Sequence, residues 1–215
     1  MEAKIKTIYK NDFNFPYLLK NITNCPSKLF VKGNSEILRE RCVAIVGTRN
    51  CTENGRRNAA NLAYVLARKG YVIVSGLANG IDSAAHIGCL RANGRIIAVL
   101  AHGLEYIYPN NNVLLANKIL KSNGAIISEY NSNTIILKKS FIERNRIISG
   151  LCEKTFIVEA GIKSGTLSTG NFALEQGREV YAFPGKINNI NYSGTNKLIQ
   201  CGANIFIDIK LIKNI

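Results

Sequence analysis

Four short segments of this sequence are suited to holding an anion. They are Gly47-Thr48-Arg49-Asn50, the run Ser75-Gly76-Leu77-Ala78-Asn79-Gly80-Ile81-Asp82, Ala101-His102-Gly103, and the stretch from Ala160 to Thr169 that contains Lys163-Ser164-Gly165-Thr166. Glycine lets a backbone turn sharply and approach a ligand closely. Free N–H groups at a helix start, with hydroxyls beside them, make a ready anion site. Gly47, Thr48, Ser75, Gly76 and Gly80 are therefore candidate phosphate-loop residues, while Lys163, Ser164, Gly165 and Thr166 contribute a charge and two hydroxyls. The same residue types also suit ordinary turns and helix caps, so one such loop means little and their recurrence carries the argument.

A fifth segment differs in character. Lys138, Lys139, Phe141, Arg144 and Arg146 fall within nine residues. Cations neutralise phosphates, and an aromatic face stacks a base for about 1–3 kcal/mol. The alternative is a solvated basic helix with Phe141 in the core. Neither G-x-G-x-x-G nor G-x-x-x-x-G-K-[ST] occurs, so neither a dinucleotide fingerprint nor a P-loop is present. The cysteines at 25, 42, 51, 89, 152 and 201 show no C-x-x-C spacing and no zinc pattern with histidine. We expect no metal, no cofactor and no catalytic residue.

These segments need elements to position them. Val43–Gly47, Tyr71–Ser75, Arg95–Leu100, Ala125–Ser128, Thr155–Glu159 and Glu179–Phe183 are short apolar runs of the kind found in strands buried on both faces. Between them, helices are expected over Asn54–Lys69, Ser83–Ala92, Asn112–Lys121, Phe141–Leu151 and Leu167–Gln176, the first stopping at Gly70. The segment from Leu198 to Ile207 closes the chain. Such alternation predicts an α/β fold with a mostly parallel, twisted sheet and helices on both faces. Ligands then bind beyond the carboxyl ends of the strands, where the Gly-rich loops fall. Residues 1–41 read as a polar N-terminal arm packing on the core, with one strand at Leu29–Asn34; residues 42–210 form the core domain and 211–215 a basic tail.

The whole-chain numbers agree. Of 215 residues 47% are hydrophobic, enough for a core, and 28 Lys+Arg against 14 Asp+Glu give a net charge of +14. That field attracts anionic partners, nucleic acid first and an anionic membrane surface second. No stretch reaches the roughly 20 apolar residues of a membrane span. The first residues lack a signal-peptide core, and scattered cysteines suit a reducing cytoplasm.

Taken in order, the motifs resemble the DprA (Smf) family of DNA-processing proteins. The matching pieces run from Val46-Gly47-Thr48-Arg49 through Ser75–His86, Tyr108-Pro109 with Asn112, Ser128-Glu129, Phe141 with Arg144–Leu151, Val158-Glu159-Ala160, Ser164–Thr169 and Phe183-Pro184-Gly185 to Gly194–Ile199. The resemblance implies an extended Rossmann fold that binds single-stranded DNA, protects incoming strands in natural transformation, loads RecA recombinase and acts as a homodimer, without membrane attachment. It assigns backbone contact to Arg49, and DNA contact to Lys138 or Lys139 and to Phe141; Lys163 and Arg144 are added from charge and position. Many members carry a small helical domain before this core and a winged helix after it, whereas this sequence starts at the arm and ends just past the core. Gly170 stands where the family often has Ala. A nucleotide-sensing module holding a small phosphorylated ligand in the same loops is a rival reading, and the superfamily resemblance also reaches the LOG-type nucleoside monophosphate phosphoribohydrolases. For the latter, Ser164-Gly165-Thr166 matches half of a Gly-Gly-x-Gly-Thr loop, and Thr169 stands where the catalytic glutamate belongs.

Overall fold

The computed structural model describes residues 4–131, 134 and 137–209. The expected basic tail at 211–215 lies outside these residues.

The apolar runs form the middle of one nine-stranded sheet. Its strands are β1 (Ile5–Tyr9), β2 (Lys28–Gly33), β3 (Cys42–Val46), β4 (Val72–Ser75), β5 (Ile96–Val99), β6 (Ala125–Ser128), β7 (Lys154–Ile157), β8 (Glu179–Ala182) and β9 (Asn204–Ile205). Their spatial order is β1-β2-β6-β5-β4-β3-β7-β8-β9. All pairs from β6 to β9 are parallel, and only β1–β2 and β2–β6 are antiparallel. The sheet is α/β and mostly parallel, as expected from the alternation.

Parallel strands covered on both faces must be apolar at every position. β3 meets this fully. Cys42, Ala44 and Val46 point into one core cluster while Val43 and Ile45 point into the other, and all five are buried. The second cluster is closed by α2 (Glu53–Arg68), α3 (Ile81–Arg91) and α4 (Val113–Lys121). The first is closed by α1 (Tyr17–Lys20), α5 (Lys138–Gly150), α6 (Thr166–Glu175) and α7 (Ser193–Gln200). Within α2, Ala59, Leu62, Ala63 and Leu66 recur at helical spacing and face inward. The Thr52 side chain caps its start by accepting from Gly55 N at 3.0 Å, and Gly70 at φ +88° ends the run.

Two features depart from the sequence reading. Residues 5–9 form a strand in what reads as a polar lead, and β2 joins them to the sheet beside β6. Of the five residues in β1 only Ile8 is buried, so its pattern resembles a solvated segment. The closing segment is split into α7 and the two-residue β9.

β3 is the first strand of the parallel set, and the chain moves outward from it in both directions: through β4, β5 and β6 on one side and β7, β8 and β9 on the other. The connections diverge at the β3–β7 boundary, which leaves a crevice above the carboxyl ends of those two strands.

Candidate functional site

That crevice is a cleft of about 260 Å³. Loop 46–50 after β3 forms one wall, the start of α6 from Ser164 to Thr166 the opposite wall, and α5 crosses between them with Phe141, Ile142 and Asn145. Ala78, Asp82 and Arg144 close the floor. Three of the four Gly-rich loops thus converge. The fourth, Ala101-His102-Gly103, is buried and does not line the cleft.

The walls are tied to the sheet. Thr48 N donates to Glu159 O at 2.8 Å, and Ile81 N donates to Thr48 O at 3.3 Å. Glu159 is wholly buried; its carboxylate accepts from Thr52 N at 2.9 Å and from the Thr52 hydroxyl. It therefore joins the end of β7 to the start of α2, and both of its oxygens are engaged away from the cleft. Asn145 Nδ2 reaches Gly165 O at 3.3 Å and Ser168 Oγ at 3.0 Å, holding α5 against the start of α6.

Arg49 is exposed, and its guanidinium lies over the Phe141 ring at 5.2 Å from the centroid. Phe141 is half-buried, and Tyr108 lies tilted against it with ring centroids 6.1 Å apart at 56°. Lys138 and Lys139 occupy the first turn of α5, both exposed, and Lys139 pairs with Glu143 at 3.2 Å. A first turn with two lysines and no acid opposes the helix dipole, an arrangement that an anion bound there would relieve. At the opposite wall the N-cap of α6 is Gly165, and Ser164 Oγ accepts from Thr166 N at 3.2 Å, while Lys163 stands exposed just before it and does not line the cleft.

Several expected ligand contacts are corrected by the coordinates. Arg144 is only 5% exposed and turned inward. Its Nη1 donates to Gly76 O at 3.0 Å and to Val99 O, and Nε donates to Asn145 Oδ1 at 3.2 Å. Burial lowers its pKa to about 10, partly offset by the charge of Asp82. Asp82 is itself buried, accepting from Gly76 N at 3.1 Å, and burial raises its pKa against the pull of Arg144. Arg144 is thus the fixed floor of the cleft, shaping it from below. Arg146 lies five residues beyond Phe141, about 140° round the helix. It turns away to a two-pronged pair with Glu129, both contacts at 2.6 Å, and Nε donates to Asn24 O.

The phosphate-loop candidates divide similarly. Gly47 and Thr48 line the cleft, and Gly76 borders its floor. Ser75 is fully buried with its hydroxyl donating to Ile45 O at 2.7 Å, and Gly80 is a buried turn at φ +82°. Neither reaches the cleft. Gly76 is a glycine for packing, because a Cβ there would sit 2.7–2.8 Å from the Arg144 guanidinium. Asn145, Ile142 and Ala78 line the site without having been singled out; only the position of Asn145 between two arginines hinted at it.

Residues 6–214 match the DNA recombination-mediator protein A family. The chain belongs to this family. It is 44% identical over 203 residues to the DNA processing protein DprA of Bacillus subtilis, covering 94% of this chain and 68% of that protein. The X-ray structure of DprA from Streptococcus pneumoniae superposes with a TM-score of 0.91 at 38% identity, covering 98% of this chain and 74% of the other. A Helicobacter pylori DprA structure, described for its single-stranded DNA binding mode, gives 0.88 at 32% identity and covers 100% and 97%. The chain spans 68%, 51% and 67% of three curated DprA and Smf relatives. Among the described residues no helix is long and apolar enough to cross a membrane.

Proposed function

We propose that this DprA-family chain binds single-stranded DNA in the cleft at the β3–β7 crevice. The observation that carries the reading is the exposed Arg49 guanidinium stacked on Phe141, facing the Ser164–Thr166 start of α6 across the cleft. Phosphates are held by Arg49, by the α6 start at Ser164, Gly165 and Thr166, and by Lys138 or Lys139, with Lys163 outside the wall. Bases lie toward Phe141, where stacking is indifferent to sequence. The name of the Helicobacter pylori relative's structure supports the same ligand.

The role read here is one of binding: Glu159 is committed to Thr52, and Asp82 on the cleft floor is buried and accepts from Gly76 N. The six free thiols fit a reducing cytoplasm. Protection of incoming strands in transformation, loading of RecA and action as a homodimer rest on kinship with the family alone.

The test is binding of fluorescent oligo-dT and of matched duplex across a salt series. The single strand binds more tightly, with a steep salt slope. Arg49→Ala weakens binding more than Lys163→Ala and reduces the slope by about 0.7, the share of one phosphate contact. Phe141→Ala lowers affinity and leaves the slope unchanged. An Arg49→Ala protein that matches wild type at every salt concentration removes the cleft from DNA binding.

A further inference from the structure

The buried third loop does not touch the cleft, yet it determines what stands beside it. His102 stacks on Tyr106 with centroids 4.5 Å apart at 13°, and its Nδ1 lies 2.8 Å from Gly103 O. Ten residues on, Asn112 Nδ2 donates to Leu77 O at 2.8 Å and Oδ1 accepts from Ser83 Oγ at 3.3 Å. Asn112 ties the end of loop 101–112 to the loop after β4, and the His102 contacts hold the start of the loop together from within. Tyr108 is mounted between them and remains 46% exposed.

Tyr108 closes a ladder of three flat groups. The Arg49 guanidinium lies over the Phe141 ring at 5.2 Å, and Tyr108 lies tilted against the same ring. At 6.1 Å and 56° the two rings leave no room for a base between them, and the exposed part of Tyr108 is where a further ring can be added. Beside it lies a side cavity of about 60 Å³, bounded by Tyr108, Pro109, Phe141, Ala78, Asn79 and Arg49. Asn79 is exposed at its lip, and its side-chain amide has no hydrogen-bond partner among the described residues. An amide offers both a donor and an acceptor to a base edge.

We propose that Tyr108 and Asn79 form a second base subsite, in which one nucleobase of the strand stacks on Tyr108 and meets the Asn79 amide with its edge. This rests on the reading of the main cleft as a single-strand site. The braced loop means that Tyr108 is already in place before the base arrives, so little ordering cost is charged against the stack.

The experiment uses fluorescent oligo-dT together with a set of oligomers carrying one abasic position each, scanned along the strand. Tyr108→Ala weakens oligo-dT binding about 5- to 30-fold with no change in salt slope, and Tyr108→Phe retains affinity. One abasic position reproduces that loss in wild type, and at that position Tyr108→Ala adds no further loss. Asn79→Ala leaves the abasic map in place and narrows the differences among oligo-dT, oligo-dC and oligo-dA. Wild-type affinity in a folded Tyr108→Ala protein, or full affinity in Tyr108→Leu, overturns the stack. Unchanged homopolymer ranking in Asn79→Ala overturns the edge contact. Failure of the underlying reading shows differently: wild type itself then fails to prefer the single strand, and Arg49→Ala changes nothing.

Discussion

Arg144→Met separates a floor residue from a ligand contact. Methionine keeps most of the volume but strips two strand-end carbonyls, Gly76 O and Val99 O, of their shared donor. It also leaves Asp82 buried without its counter-charge. Removing one partner of a buried charge pair costs about 3–5 kcal/mol. Here the loss sits near the lower figure, because burial already disfavours the charged guanidinium, as its pKa of about 10 shows. For a chain of this size about 3 kcal/mol lowers Tm by roughly 6–12 °C. The loss also depends on pH. Asp82 has a folded pKa above its ordinary value, and without Arg144 it rises further, so acid protonates it and relieves the unpaired charge. Thermal unfolding followed by circular dichroism at pH 7 and at pH 5 should therefore show a larger deficit at pH 7. Oligo-dT binding, measured well below the lowered Tm, should weaken without a change in salt slope. An unchanged Tm together with a slope reduced by about 0.7 would falsify the floor assignment and return Arg144 to the DNA contacts.

Two further outcomes follow from the same coordinates. Arg146→Met breaks the largely buried pair with Glu129, so it should lower the urea midpoint and leave the salt slope of oligo-dT binding as in wild type; a reduced slope would place Arg146 on the strand. His86 is fully buried on α3 with neither ring nitrogen hydrogen-bonded among the described residues, and burial pushes its pKa down to about 3. The unfolded chain takes up that proton near pH 6.5 and the folded chain does not, so from about pH 6.5 down towards 3 each unit costs up to about 1.4 kcal/mol. Urea titrations at pH 7.5 and 5.5 should show His86→Leu losing less stability than wild type over this interval, and equal losses would refute the buried neutral ring.

How much was legible depended on what each residue's role required of its type. A strand buried on both faces must be apolar throughout, so Val43–Val46, Val72–Val74 and Ala125–Ile127 announce themselves. β1 is covered on one side only and alternates Lys6 and Thr7 with Ile8, which is also how a solvated arm reads. The cleft was legible as a set of loops, because only the carboxyl ends of the strands could carry them. Direction was not legible. Arg144 and Arg146 are the same residue type two positions apart, yet helix phase sends one beneath the sheet ends and the other to Glu129. Ser75 and Gly80 have the chemistry of a phosphate loop and are used for packing, a distinction that depends on Ile45 and Arg49 lying across from them. Tyr108 was legible only as part of the Tyr108-Pro109 motif, and its place beside Phe141 depends on contacts far along the chain, such as that of Asn112 with Leu77 O.

The antiparallel pair at one margin of the sheet has a consequence for handling the protein. β6 is buried along its whole length and apolar at Ala125, Ile126 and Ile127, and the backbone groups on its outer side are taken up by β2. An open strand of that composition is a template for pairing with another chain. β1 and β2 move the margin outward to a strand whose exposed residues include Lys6, flanked by Lys4 and Lys10. A version trimmed to begin at β3 would keep every residue that lines the cleft, but it would bare the β6 margin and be prone to stack edge to edge into aggregates. β1 and β2 therefore act as a guard on solubility, which explains why two strands that contribute nothing to the cleft are woven into the sheet.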